Sequence, residues 1–229
     1  MIESKVFNHK THPTKLHFTI PAGNTGKVAL VFGLHGGGGC SPDVNDSQWE
    51  NHKSLYSLAE ERSDIIWVCP RAPTNNWNLW HEPHMDEIIL GVAQNFSVLG
   101  LINPNKVFIT GYSAGGDGVY KLAPRIACFL AGAVMSAGHP NGSSVENLIN
   151  TPFAIQIGAN DGAYSRNSVA VEYSEKLKAF REKESHPNRY LFKFDSYNTG
   201  HWMLRKDKRA IEWALEFARN PRPDKIIWK

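Results

Sequence analysis

Cysteine is scarce, with three residues in 229: Cys40, Cys69 and Cys128. An odd number with neither metal-ligand nor redox spacing excludes a disulfide framework and predicts reduced thiols. Cys69 and Cys128 lie in apolar stretches and are expected to be buried, whereas Cys40 follows a glycine run and is expected nearer solvent. Long hydrophobic runs are missing as well. The longest, Ile126 to Gly138, is too short to cross a bilayer, so no membrane span is expected. Nor is there an excess of one charge. The 25 basic and 22 acidic residues leave a formal +3, spread along the chain without the basic stripe that nucleic acid needs. The locally basic tail with Arg219, Arg222, Lys225 and Lys229 reads as a solvated end. Residues after Met1 lack the apolar stretch of a secretory signal, which makes the cytoplasm the expected compartment, although a leader removed beforehand would leave the same appearance. Internal repeats, low-complexity tracts and linkers are absent, and nothing signals an oligomeric state.

The composition that remains, 41% hydrophobic and 21% charged, is that of a globular chain, and the length suits one domain over residues 1–229. Apolar runs at Leu16–Ile20, Val28–Leu34, Asp64–Cys69, Lys106–Thr110, Ala131–Ala137, Pro152–Ile157 and Tyr190–Phe194 read as strands. A capping-box pattern at Ser47 and Glu50 predicts a helix ending near Arg62. Helical spacing also covers Met85–Ile102, the segment after Ser113 to about Leu122, Val169–Lys183 and Leu204–Arg219. The stretch Arg71–Pro83, rich in Pro, Asn and Trp, is a loop. Strands alternating with helices predict an α/β fold: a mostly parallel sheet with helices on both faces and no large lid domain.

Gly111-Tyr112-Ser113-Ala114-Gly115 matches Gly-x-Ser-x-Gly, and it sits where a strand passes into a helix. In that setting the glycines permit a sharp turn that lifts the serine hydroxyl above the sheet edge. An incidental serine in a glycine-rich turn is the bland alternative. The spacing of Gly111, Gly115, Gly116 and Gly118 does not fit a dinucleotide-binding Gly-x-Gly-x-x-Gly.

A serine nucleophile needs a base, and the base needs a carboxylate to fix its tautomer. Asp161 lies just past the strand ending at Ile157, at the sheet edge where α/β folds place their sites. Of ten histidines, His201 alone follows both that acid and the last strand, whereas His139 precedes the acid and His186 precedes the strand. Asp195 is the alternative acid. Asp117, one turn into the helix after Ser113, suits the helix N-terminus or a supporting hydrogen bond.

His35-Gly36-Gly37-Gly38-Gly39 follows a buried strand and can present bare backbone N–H groups. Gly37 and Ala114 are the expected oxyanion donors, with Gly38 as a substitute for Gly37. Trp77, Trp80 and Trp202 are expected to wall a substrate pocket, with plain packing as the competing role. His81, Glu82 and His84 could be taken for metal ligands, but Pro83 interrupts their spacing and no fourth ligand is apparent, so neither a metal nor a cofactor is expected.

Together the His-Gly-Gly-Gly segment, Gly-Tyr-Ser-Ala-Gly-Gly, Gly-Ala-Asn-Asp and Gly-His-Trp-Met resemble α/β-hydrolases of the carboxylesterase and phospholipase-like group over residues 28 to 203. The chain is also similar to polyhydroxybutyrate-depolymerase-like and acyl-protein-thioesterase-like esterases. The resemblance implies hydrolysis of a small-molecule ester or thioester, with Ser113 as nucleophile, Asp161 as acid, His201 as base, and Gly37 and Ala114 as oxyanion donors. Peptide cleavage or acyl transfer could use the same residues, and a non-catalytic binding protein could keep the fold. The run of four glycines and the Trp77–Trp80 loop depart from the plain thioesterase pattern.

Overall fold

The computed structural model describes residues 1–59 and 61–229. Among these residues eight strands form one sheet in the order β1-β2-β4-β3-β5-β6-β7-β8. They are β1 (Val6–Phe7), β2 (Thr14–Thr19), β3 (Ala29–Leu34), β4 (Ile65–Pro70), β5 (Val107–Tyr112), β6 (Gly132–Ser136), β7 (Phe153–Gly158) and β8 (Phe192–Tyr197). At one edge β1 pairs antiparallel with β2 and β2 antiparallel with β4, and the remaining neighbours are parallel. Among the described residues five α-helices accompany the sheet: α1 (Pro42–Leu55), α2 (His84–Val98), α3 (Ala114–Arg125), α4 (Arg166–Glu182) and α5 (Arg209–Leu215).

Strands β3 to β7 are buried along their length, with only Tyr112 at the end of β5 half-buried, because both faces are covered. The two-residue period sorts their side chains between two cores. Leu30, Phe32, Leu34, Ile66 and Val68 point to one side, where they meet Ile88, Val92 and Phe96 of α2, Val119 and Leu122 of α3, and Leu177 of α4. Ala29, Val31, Ile65, Trp67 and Cys69 point to the other, against Trp49 of α1 and Ile211, Ala214 and Leu215 of α5. Each fully buried Leu, Ile or Phe contributes roughly 1.5–3 kcal/mol of transfer free energy. Among the described residues no helix is long and apolar enough to cross a membrane.

Several elements differ from the sequence-based expectation. The first helix begins at Pro42, after Ser41, so Ser47 and Glu50 lie inside it rather than capping it. Proline's preset φ and missing N–H suit the first helical position, and that start takes precedence over the later capping pattern. The helix ends at Leu55, not near Arg62; position 60 of the expected helix lies outside the described residues. The last helix is shorter than Leu204–Arg219: Leu204 and Arg205 have φ of 56° and 62°, a left-handed conformation through which a right-handed helix cannot run. β8 is displaced to Phe192–Tyr197, because pairing with β7, from Phe153↔Phe192 to Gly158↔Tyr197, sets its limits. β1 was not expected. Cys69 is buried and Cys40 half-buried, but Cys128, expected inside, is exposed on a 3-10 turn after α3.

The chain goes from β3 out to β4 and then returns to place β5 on the other side of β3. The crevice beyond the carboxyl ends of β3 and β5 is thus where the strand order reverses, the position at which open α/β sheets bind their ligands.

Candidate active site

Ser113 occupies the turn between β5 and α3 with φ 58° and ψ −121°. A non-glycine residue pays of order 1–3 kcal/mol for such a backbone, and the surroundings enforce it here. The Ser113 N–H donates to the Ser136 carbonyl at 3.0 Å, and the Ser113 carbonyl accepts from the Asp117 N–H at 3.0 Å. The flanking glycines are required by close approach. A Cβ on Gly111 would lie 2.2 Å from the Gly115 carbonyl oxygen, and one on Gly115 would lie 1.9 Å from that of Leu34.

Asp161 and His201 lie on two loops stitched together at the ends of β7 and β8. The Ala159 N–H donates to Tyr197 O at 2.7 Å and the Asn160 N–H to Thr199 O at 2.9 Å. This contact depends on Gly158, where a Cβ would meet the Gly200 carbonyl oxygen at 1.9 Å. Asp161 is buried, and its Oδ2 lies 2.7 Å from His201 Nδ1. His201 Nε2 lies 2.9 Å from Ser113 Oγ. A carboxylate only accepts, so Nδ1 carries the proton and Nε2 presents its lone pair to the serine hydroxyl, which donates to it. Tyr112 supports the histidine from below, its hydroxyl donating to the His201 carbonyl at 3.2 Å and its ring 5.2 Å from the imidazole. Asp195, the alternative acid, lies within β8, where its Oδ2 accepts from Gln156 Nε2 at 2.9 Å.

Gly37 and Ala114 line a small pocket with Ser113, Trp77, Asp117 and Arg166. Ala114 opens α3, so its N–H has no intrahelical acceptor. Gly37 has φ 108°, and a Cβ there would lie 2.2 Å from Asn45 Oδ1. The Gly38 N–H is already engaged, donating to Asn45 Oδ1 at 2.9 Å, which removes Gly38 as a substitute donor. Asn45 Nδ2 in turn donates to Asn75 Oδ1 at 3.0 Å, and the Gly39 N–H to Asn76 O at 3.0 Å. The glycine loop is thus braced by α1 and by the loop after β4.

Two of the three tryptophans border the site. Trp77 is exposed over Ser113, and Trp202 lies on the opposite flank, edge-on to Tyr112 at 5.7 Å, in a groove with Gly36, Gln48 and His52. Trp80 does not wall the pocket and is a correction to the expectation. It is fully buried, its Nε1 donates to the His35 carbonyl at 3.0 Å, and its ring stands edge-on to the His35 imidazole. Gly118 of α3 makes room for it, since a Cβ there would be 2.5 Å from the Trp80 Cβ. Asp117 is buried at the pocket floor, accepting from the His139 N–H at 2.7 Å and Asn141 Nδ2 at 3.4 Å. Burial pushes its carboxyl above the usual range, while those bonds and the nearby Arg166 charge pull it back. His84 stacks on His12 at 3.7 Å and Glu82 accepts from Asn76, and among the described residues no group of three or more His, Cys, Asp or Glu is arranged to hold a metal.

Asn45, Arg166 and Gly158 were not singled out in the sequence. Asn45 and Arg166 lie in the first turns of α1 and α4, ahead of where the sequence pattern starts either helix. Gly158 ends a strand, and its role appears only once the His201 loop is laid against it.

No protein-family model and no curated protein matches the sequence. Solved structures do match. A thermostable esterase superposes with TM-score 0.69 at 20% identity, covering 93% of this chain and 62% of its own, so this chain spans under two thirds of that protein. The fluorophosphonate-binding serine hydrolase F of Staphylococcus aureus gives TM-score 0.64 at 17% identity, covering 92% and 96%. A poly(3-hydroxybutyrate) depolymerase from Bordetella parapertussis gives 0.63 at 15%, covering 92% and 87%. With these likenesses the sheet and its helices define an α/β-hydrolase fold.

Proposed function

We propose that this chain is a serine hydrolase that cleaves a carboxylic ester or thioester through an acyl-Ser113 intermediate. The observation that carries the proposal is the continuous chain from Ser113 Oγ to His201 Nε2 at 2.9 Å and from His201 Nδ1 to Asp161 at 2.7 Å, across sequence separations of 88 and 40 residues. The names of the similar structures, esterase, serine hydrolase and depolymerase, support the same class. The proposal takes residues 1–229 as one hydrolase domain acting in the cytoplasm on a small-molecule ester, without a cofactor.

In the first half-reaction Ser113 Oγ attacks the acyl carbon while His201 Nε2 takes the hydroxyl proton. Asp161 stabilises the imidazolium that results. Charge develops on the former carbonyl oxygen, where the N–H groups of Gly37 and Ala114 are available as donors; one such donor contributes on the order of 10²–10³ in rate. His201 then passes its proton to the departing alkoxide or thiolate, releasing the alcohol or thiol. A water molecule repeats the sequence on the acyl-serine, with His201 accepting its proton and returning it to Ser113 Oγ. One ester and one water give one acid and one alcohol.

Incubation with a neutral alkyl fluorophosphonate and peptide mass mapping tests the nucleophile, and p-nitrophenyl butyrate tests turnover. A covalent adduct on Ser113, with a burst of p-nitrophenol that Ser113→Ala abolishes, is the expected result. An unlabelled Ser113 in folded protein, or equal hydrolysis by Ser113→Ala, would overturn the proposal.

A further inference from the structure

Among the described residues Arg166 is the one cation lining the pocket beside Ser113, and its guanidinium is left short of partners. The residue is nine-tenths buried, yet Nε has no hydrogen-bond partner among the described residues. Its nearest polar contacts are weak: Nη1 reaches the Ala163 carbonyl at 3.5 Å and Asp161 Oδ1 at 3.9 Å. Of the carboxylates in its vicinity, Asp161 turns Oδ2 to His201 and leaves only Oδ1 at the long distance from Arg166, and Asp117 is engaged by the His139 N–H and Asn141. A buried guanidinium held only by such long contacts favours a ligand that brings a carboxylate to it in a charge-assisted pair.

The backbone is shaped to put the guanidinium there. Tyr164 and Ser165, immediately before α4, both have φ of 55°, and this left-handed pair turns the first residue of the helix back toward Ser113. The Tyr164 ring lies 4.8 Å from the Arg166 guanidinium carbon and 5.7 Å from the Trp77 ring, so one exposed aromatic covers the cation and a second stands beside the first. The pocket measures about 30 Å³. That admits roughly two or three water-sized groups, which fits a short chain and not a long one. It contains Gly37 and Ala114, so a carbonyl oxygen directed at those two backbone N–H groups leaves the rest of the acyl chain beside Trp77, Asp117 and Arg166.

We infer that Arg166 selects substrates whose acyl group ends in a carboxylate, half-esters of short dicarboxylic acids of the succinyl kind, over neutral acyl groups of equal length. This inference rests on the hydrolase reading of Ser113. Arg166 would pair with the distal carboxylate while Ser113 attacks the ester carbonyl at the other end. The anionic group need not be hydrolysed and needs no further reactant.

The test compares p-nitrophenyl hemisuccinate with p-nitrophenyl butyrate, both four-carbon acyl groups. Wild-type protein should show a kcat/KM at least tenfold higher for the hemisuccinate. In Arg166→Gln that ratio should fall at least tenfold, chiefly through KM for the charged ester, and Arg166→Lys should retain more of it than Arg166→Gln. An arginine that only supports Asp161 would lower kcat for both esters equally and leave the ratio unchanged, which overturns the assignment. So does a wild-type ratio at or below one, whatever the variants do. If butyrate is cleaved without a charge preference, only the role of Arg166 fails; if neither ester is cleaved and Ser113 takes no fluorophosphonate, the hydrolase reading fails with it.

Discussion

Acidification should destabilise this protein through His35, the residue that anchors the glycine loop. His35 is fully buried. Its Nδ1–H donates to the Gly36 carbonyl at 2.6 Å, and its Nε2 accepts the Ala72 N–H at 3.1 Å. A second proton would turn Nε2 from acceptor to donor, facing another donor, and would place a cation inside the core. Burial therefore lowers the imidazole from 6.5 to about 4; the Gly36 carbonyl opposes this, and the Arg71 charge adds to it. The unfolded chain binds this proton near pH 6.5 and the folded chain only near pH 4. The stabilising contribution is thus complete above 6.5 and is lost as the pH falls through the window to about 4. At about 1.4 kcal/mol per pH unit, the loss reaches about 3 kcal/mol at pH 4. His52, buried on the other face and lowered to about 3, loses stability in parallel, so a variant is needed to isolate His35. Glutamine at position 35 can donate to Gly36 and accept from Ala72 without titrating. Urea unfolding of wild type and His35→Gln at pH 7, 5.5 and 4 should show the wild-type advantage shrinking by about 3 kcal/mol across that range. A difference that stays flat with pH would refute the reasoning.

Two further outcomes concern the frame of the site. Gly115→Ala forces a methyl group to within 1.9 Å of the Leu34 backbone oxygen, so β3 and α3 must separate. Calorimetry should register a loss of about 1–3 kcal/mol, with a fall in ester turnover because Gly37 and Ser113 ride on those two elements; unchanged Tm and turnover would contradict the close approach. Asp207 is fully buried after the His201 loop, and burial raises its carboxyl above 3.8 against the opposing pull of the Ser136 and Tyr56 hydroxyls. The folded chain then keeps a proton that the unfolded chain releases, so wild-type stability declines as the pH rises from 3.8 through the raised value. Asp207→Asn cannot ionise, and denaturation at pH 4 and 8 should find it gaining on wild type at the higher pH; the opposite trend would remove the argument.

Local chemistry made much of this protein legible before any tertiary contact was known. Apolar runs such as Val28–Leu34 and Pro152–Ile157 can only be strands covered on both faces, and Gly-Tyr-Ser-Ala-Gly between a strand and a helix has few uses other than a sharp turn that exposes a hydroxyl. Ser113, Asp161 and His201 could be proposed together because each follows a strand, and parallel strands deliver their carboxyl ends to one edge. The periodicity that marks a strand or helix records which face is apolar, but not which neighbour that face meets. Trp80 and Cys128 were misplaced for that reason: one belongs to a loop that folds back beneath His35, and the other to a turn that faces outward.

What the tertiary structure alone decided is reach. The 2.9 and 2.7 Å contacts exist because Gly158 lets the His201 loop close over the end of β7, and the Gly38 amide is excluded because Asn45 of α1 occupies it. Arg166 enters the pocket through two left-handed residues that no sequence pattern announces. Hydrophobic periodicity is a property of a few consecutive residues, whereas hydrogen bonds and ion contacts depend on tenths of an ångström between segments far apart in the chain, and only packing sets those distances.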